Sequence, residues 1–133
     1  MIQKINHIGI AVSSLEAHLP FYRDVLKLEY QGTQTVPDQK VRLAVFRVGE
    51  VSIELLEPTA PDSPIAGFIE KRGEGVHHLA YQVDEIEAQI AGLRAAGVQM
   101  IDEKPRGGAH GTRIAFLHPK SSGKVLTELT QVQ

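Results

Sequence analysis

The sequence INHIGIAV at residues 5–12 decides the fold, because it recurs as VHHLAYQV at residues 76–83. The two segments align with a shift of 71 residues, which places His7 on His78. A repeat at a fixed shift is the sequence signature of a duplicated supersecondary unit. The chain is therefore predicted to contain two copies of one module.

The repeat continues beyond these first segments. VRLA at 41–44 falls on TRIA at 112–115 with the same shift, and Glu54 meets Glu128 with a shift of 74. The three additional residues fit a longer hairpin turn, HPKSSG at 118–123, in the second copy. Insertions within repeats usually map to loops, so the shift supports duplication of the whole module.

Each copy opens with an alternating, β-branched run that predicts a strand, and continues into a helix and three further strands. The predicted helices cover about 14–27 and 84–96, and the strands that follow them cover 28–34 and 98–103. The predicted hairpins pair 41–48 with 51–57, and 112–118 with 124–131. This pattern predicts an α+β fold of two tandem βαβββ modules that bury their apolar faces together and leave a trough between them. We expect one domain over residues 1–133, with modules at about 1–57 and 75–133 and a connector at 58–74.

The helix boundaries carry their own signals. Ser13 with Glu16, and Asp84 with Glu87, have the spacing of a capping box. Pro20 conflicts with the first helix, because it lacks an N–H and should bend the helix or shift its start. For the second helix, Gly97 predicts the end. A short helix over 65–71 is predicted within the connector.

Composition excludes several classes of protein. The chain has 133 residues, 14 Lys plus Arg against 16 Asp plus Glu, and no Cys. Interspersed charges offer no basic stripe for a nucleic acid, and no apolar run is long enough for a membrane span. The absence of Cys excludes disulfides, thiolate zinc sites and a Cys nucleophile. We expect a soluble, cytoplasmic protein that binds neither nucleic acid nor membranes.

Four residues of metal-ligand type recur in pairs. Period-two alternation places His7 and His78 on strand faces whose next residues are small, and places Glu54 and Glu128 in mid-strand. A buried carboxylate needs a compensating partner. Imidazole and carboxylate ligands suit a divalent ion, so these four residues are the candidate metal site.

Other polar residues have simpler interpretations. Surface positions are predicted for His18 and His110, and a packed or hydrogen-bonded position on the core side for His77. A water-exposed strand edge is the alternative explanation for Glu54. Solvated loop charges account for Lys104, Arg106, Lys120 and Lys124. GGAHG at 107–111 is not a P-loop, because the Lys-Ser/Thr pair and the helix after it are absent.

The paired modules with His7, Glu54, His78 and Glu128 resemble the vicinal oxygen chelate superfamily, the glyoxalase/bleomycin resistance/dioxygenase group. The second half is similar to the methylmalonyl-CoA epimerases. This similarity rests on GVHHLAY at 75–81, VQMIDEKP at 98–105, and IAFLHPKSSG at 114–123 with Glu128-Leu-Thr. It extends over nearly the whole chain.

The resemblance implies a site and a reaction. His7, His78 and Glu128 match the family's metal ligands, and Glu54 stands where some members have Gln. The implied cofactor is a divalent ion, Co, Mn, Ni, Zn or Mg. The implied reaction interconverts the 2R and 2S epimers of methylmalonyl-CoA by moving the C2 proton through a metal-stabilised enolate.

The same resemblance suggests roles for individual residues. Glu128 is the first candidate for the base and Glu54 the second. One family member has a catalytic Glu near the position of 41–44, where the nearest residue here is Arg42, which cannot accept a proton. Lys120 is expected to meet the phosphates of the CoA thioester, and a homodimer is the family's expectation.

Three alternatives stay open. Lactoylglutathione lyase (glyoxalase I) shares the two-His, two-Glu set and also moves a proton. An extradiol dioxygenase would use two His and one carboxylate, and a fourth ligand at Glu54 leaves less room for catechol and oxygen. A metal-free small-molecule-binding protein of the same fold would retain no metal after purification.

Overall fold

The computed structural model describes all residues from Met1 to Gln133. Its eight strands are β1 Ile2–Ala11, β2 Glu29–Val36, β3 Val41–Val48, β4 Val51–Pro58, β5 Gly75–Val83, β6 Arg106–Gly107, β7 Arg113–Leu117 and β8 Thr127–Gln131. Its α-helices are α1 Leu15–Leu19, α2 Pro64–Arg72 and α3 Ile86–Ala95. None of the helices is long and apolar enough to cross a membrane. The element order confirms the predicted α+β class and the βαβββ pattern in each half.

The chain divides into two compact units. The amino-terminal unit is His7–His77, with strand order β2-β3-β4-β1. Within it β1 pairs with β4 in parallel, and β3 is antiparallel to both β2 and β4. The core of this unit lies under α1 and consists of Val12, Leu15, Ala44, Phe46 and Leu55.

The carboxy-terminal unit is Met1–Asn6 with His78–Gln133. Its strand order β5-β8-β7-β6 repeats the pattern of the other unit, because β5 is parallel to β8 and β7 is antiparallel to β8 and β6. Its core packs α3 against the sheet, with Val83, Ile86, Ile90, Met100, Ala115, Leu117 and Leu129. The duplicated sequence therefore gives the same local topology twice.

The first predicted helix is divided at Pro20. A single α-helical turn, α1, is followed by a π-helical segment over Pro20–Val25, in which the N–H of Leu26 donates to the carbonyl of Phe21 at 2.8 Å. The wider π turn accommodates the proline, whose missing N–H would leave a gap in a regular helix. The helix cap is Ser14, which accepts from the N–H of Ala17, so the predicted Ser13–Glu16 capping box is wrong.

The capping box predicted at Asp84 and Glu87 is also wrong. The Asp84 carboxylate accepts from the N-terminal ammonium group at 2.7 Å and from the N–H of Glu85. The N–H of Ile86 donates to the side chain of Gln131 at 2.8 Å. A long-range acceptor therefore takes the place of the local cap.

The strand predicted over 98–103 is also wrong. Only Met100 forms an isolated bridge, to Leu117, and the paired segment is β6. Asp102 explains the difference, because its side chain accepts from the N–H of Phe116 at 2.9 Å. A side-chain acceptor thus replaces the carbonyl that a continuous strand would supply. The helix predicted over 65–71 is confirmed as α2, which starts after the cap residue Ser63.

Candidate metal centre

The amino-terminal unit brings His7 and Glu54 together. In the parallel β1–β4 pair Gly9 lies opposite Glu54, and His7 lies two residues earlier on the same face. His7 Nδ1 is 3.6 Å from Glu54 Oε2, and both residues are buried.

The carboxy-terminal unit repeats this arrangement with His78 and Glu128. Ala80 lies opposite Glu128 in the parallel β5–β8 pair, and His78 lies two residues earlier. The distance from His78 Nε2 to Glu128 Oε1 is 3.3 Å, and both residues are buried. The strand register and the approach of a His to a carboxylate therefore repeat, while the nearest imidazole nitrogen is Nδ1 in His7 and Nε2 in His78.

Different side chains surround the two pairs. Val45 lies opposite Glu54 in the β3–β4 hairpin, whereas Phe116 lies opposite Glu128 in the β7–β8 hairpin. The Phe116 ring meets the His78 ring edge to face, with centroids 5.6 Å apart and planes at 79°. Phe116 is not among the residues predicted from the sequence. Its register with Glu128 on the antiparallel strand was the signal that could have found it.

The donor set fits a divalent ion. Ligand atoms that share a metal at about 2.0–2.2 Å lie roughly 2.8–3.1 Å apart when adjacent in octahedral geometry and roughly 3.3–3.6 Å apart in tetrahedral geometry. The nitrogen-to-oxygen distances within the pairs, 3.6 Å and 3.3 Å, are of this size. Two buried carboxylates also need positive charge nearby, which a divalent ion supplies.

Arg42 has a structural contact outside these pairs. Its Nε is 3.2 Å from Oε1 of Glu57, and Oε2 of Glu57 accepts from the N–H of Leu15 at 2.8 Å. The pair therefore ties β3 and β4 to the first turn of α1. Beside Arg42 on β3, Leu43 lies opposite Leu56, so this part of the strand brings no carboxylate to the Glu54 face.

The two pairs do not include Lys120, His77, His18 or His110. Lys120 is exposed in the 3-10 turn Pro119–Ser121, where its backbone N–H donates to Nδ1 of His118. His77 packs its ring edge to face on Phe68 at 5.0 Å, as the packed interpretation predicted. His18 bonds to the Glu74 carboxylate at 2.8 Å, and His110 is exposed.

Comparisons with known proteins agree with this geometry. The family model of the glyoxalase/bleomycin resistance protein/dioxygenase superfamily matches residues 6–116. The ethylmalonyl-CoA/methylmalonyl-CoA epimerase of Cereibacter sphaeroides is 42% identical over 134 residues, which covers 99% of this chain and 100% of that protein. The mitochondrial methylmalonyl-CoA epimerase of Homo sapiens is 38% identical over 129 residues, covering 96% of this chain and 73% of that protein.

A solved structure gives the same result. A variant of the Streptomyces coelicolor methylmalonyl-CoA epimerase, in complex with 2-nitronate-propionyl-CoA, superposes with a TM-score of 0.94 at 40% identity. The alignment covers 98% of this chain and 95% of that chain. Both the sequence and the fold therefore place the protein among these enzymes: the chain belongs to the methylmalonyl-CoA epimerase family of the glyoxalase/bleomycin resistance protein/dioxygenase superfamily.

Proposed function

We propose that this protein is a metal-dependent epimerase that interconverts the 2R and 2S forms of methylmalonyl-CoA. The observation that carries the proposal is the pair of buried His–carboxylate contacts at equivalent positions of two parallel strand pairs. Relatives named as epimerases of this substrate, at 38% to 42% identity over almost the whole chain, support the choice of reaction.

The metal ligands in this proposal are His7, His78 and Glu128, with Glu54 as the fourth. The first three are buried and offer two imidazole nitrogens and a carboxylate oxygen, a donor set suited to Co, Mn, Ni or Zn. Mg would be held less well by the two imidazoles, because it favours oxygen ligands. When bound, the ion supplies Lewis-acid stabilisation of the negative charge that develops on the thioester oxygen as C2 loses its proton.

The proton transfers fall to the two carboxyl groups. Epimerisation removes the C2 proton from one face and returns a proton to the other, so it needs an acid/base group on each face. We assign these roles to Glu128 and Glu54. One carboxyl group starts ionised and takes the C2 proton, while the other starts protonated and delivers its proton to the opposite face of C2. Proton exchange with solvent between turnovers restores the starting states, and in deuterated water it brings the label that is delivered to C2. Burial of both groups keeps bulk water from competing for the proton.

The binding of the CoA portion is assigned to the surface. Lys120 is exposed on its turn, where a cation can meet phosphate groups without being desolvated. Replacement of Lys120 by Met should therefore raise KM and leave kcat within about twofold. A homodimer and a cytoplasmic location complete the proposal, and light scattering of the purified protein tests the first of these.

Isotope exchange tests the reaction directly. The metal-loaded protein is incubated with one epimer of methylmalonyl-CoA in deuterated water, and label at C2 and epimer ratio are followed together. Wild type should do both, and so should the control Glu16→Gln on the exposed start of α1. Absence of both in metal-loaded wild type would overturn the proposal. Turnover of the methylglyoxal–glutathione hemithioacetal instead would reassign the protein as a lactoylglutathione lyase.

A further inference from the structure

We propose that Arg106 binds an anionic oxygen group of the acyl-CoA substrate, and that this group is the acyl carboxylate rather than a phosphate of CoA. The inference rests on the proposed function for the identity of the substrate. It concerns a residue that the sequence analysis interprets as a solvated loop charge, and that the structure places against Phe116, the ring in contact with His78.

Strand register puts Arg106 on the same face as Glu128. Arg106 lies opposite Ile114 in the β6–β7 pair, and Phe116, two residues further along β7, lies opposite Glu128. Residues directly opposite each other, and residues two apart, share a face of the sheet. The other face of β7 carries Ala115 and Leu117, which pack under α3.

Side-chain contacts connect the same residues. The Arg106 guanidinium lies 5.6 Å from the Phe116 ring centroid, and the Phe116 ring lies 5.6 Å from the His78 ring. The Phe116 ring thus contacts both the cation and the imidazole that pairs with Glu128. The side chain of Arg106 is 42% exposed and that of Asp102 is 16% exposed, whereas Phe116 is buried. The guanidinium is therefore accessible from solvent, while the ring that it contacts lies next to buried His78.

Asp102 fixes the orientation of the guanidinium. Its Oδ1 accepts from Arg106 Nε at 3.1 Å, while its Oδ2 accepts from the N–H of Phe116 at 2.9 Å. This bond uses one of the five guanidinium donors, so both terminal amino groups are available to a ligand. The aromatic face and the carboxylate together restrict a side chain that would otherwise lose rotamer entropy on binding.

The chemistry suits a planar anion near the reacting end of the substrate. Arginine forms paired hydrogen bonds with carboxylate or phosphate oxygens, whereas lysine offers a single point of charge. Arg106 contacts Phe116, the ring that packs edge to face on the proposed metal ligand His78. This position favours the acyl carboxylate, because the phosphates of CoA lie at the far end of the pantetheine arm, away from the reacting carbon. Asp102 is a positioning residue in this arrangement, since it acts through Arg106.

Binding measurements separate the two sources of negative charge. Titration calorimetry with the metal-loaded protein compares malonyl-CoA, which has the carboxylate, with propionyl-CoA, which lacks it. Arg106→Met should weaken malonyl-CoA binding by about tenfold and leave propionyl-CoA within about twofold. The control Arg94→Met, on α3, removes a similarly exposed arginine from the other face and should change neither.

The remaining outcomes are decisive. Equal weakening of both ligands by Arg106→Met would overturn the carboxylate assignment in favour of phosphate, and no weakening of either would overturn anion binding. If Arg106→Met fails to fold, Arg106→Lys keeps a charge beside Asp102 and should still weaken malonyl-CoA selectively, by about threefold. Wild type that binds both ligands but epimerises neither form of methylmalonyl-CoA would contradict the proposed function alone.

Discussion

The two His–Glu pairs share a backbone plan and differ in what surrounds them. Each His stands two residues before a small residue that faces a Glu on a parallel strand. The first pair has aliphatic Val45 opposite its Glu, whereas the second has Phe116, with Arg106 over the ring. The two copies therefore share the placement of a His and a Glu, and only the second adds an aromatic ring and a cation next to them.

The largest effect is expected at Glu128. Replacement by Gln keeps the shape but removes a proton acceptor and weakens a ligand, so kcat for epimerisation should fall by roughly 1000-fold. Glu54→Gln should also reduce kcat, but it should keep most of the metal, because His7, His78 and Glu128, whose ligand atoms all lie within 4.8 Å of one another, remain. Elemental analysis and steady-state kinetics measure both. Equal loss of metal from the two variants would show that the pairs are equivalent as ligands.

Packing around the two carboxylates gives the next effect. Phe116→Ala should destabilise the protein by roughly 3–4 kcal/mol, since it removes a buried ring that also contacts His78. Val45→Ala removes two methyl groups at the matching position and should cost roughly 2 kcal/mol. Urea unfolding with unchanged m-values measures the free energies of unfolding. A larger loss of unfolding free energy for Val45→Ala than for Phe116→Ala would contradict the view that Phe116 is the more important packing residue next to a buried Glu.

Two adjacent glycines that follow Arg106 differ in the space around them: Gly107, in β6, tolerates a side chain and Gly108 does not. A Cβ on Gly108 would lie 2.6 Å from Cγ2 of Ile114 and 2.7 Å from Oγ1 of Thr112, whereas a Cβ on Gly107 would meet nothing within 4 Å. Gly108→Ala should therefore cost about 1–3 kcal/mol of unfolding free energy, and Gly107→Ala close to zero. Thermal unfolding of the two variants compares them, and equal stability would show that β7 and its loop move apart easily.

The parts of the site predicted from sequence are those that the repeat duplicates. His7 with His78, and Glu54 with Glu128, stand out because the same residue types recur at matching positions. Phe116, Arg106 and Asp102 have no counterpart in the first half, so the repeat contains no signal for them. Local propensity predicted a strand over 98–103 that the structure lacks. The carboxylate of Asp102, 14 residues before Phe116, accepts the hydrogen bond from the Phe116 N–H that a strand carbonyl would otherwise accept.

The starts of the helices also could not be predicted from residue spacing alone. Ser13 and Asp84 have the spacing of capping residues, yet both bond to groups far away in the chain. Ser13 donates its N–H and its hydroxyl to Glu74, 61 residues later, and Asp84 accepts from the N-terminal ammonium group, 83 residues earlier. Spacing along the sequence reports only local partners, so it placed the first cap at Ser13 instead of Ser14.

The smallest expected effect is the pH dependence of the stability that Glu74 and Asp84 contribute. Hydrogen bonds from the N–H of Ser13 and, to a smaller extent, from His18 hold the pKa of the Glu74 carboxyl below its ordinary value of 4.5. In the same way, the N-terminal ammonium group and, to a smaller extent, the N–H of Glu85 lower the pKa of Asp84. A folded-state pKa below the unfolded value gives stability that is present above the unfolded pKa and lost as the pH falls through the folded pKa. Glu74→Gln should therefore lower Tm slightly at pH 7, and the difference from wild type should shrink as the pH falls below about 4.5.

Asp84→Asn in the other unit should behave in the same way, at a slightly lower pH. Both are measured by thermal unfolding across pH in low salt, where exposed charges are least screened. A Tm difference that stays constant with pH would show that Glu74 acts through packing, not through its charge.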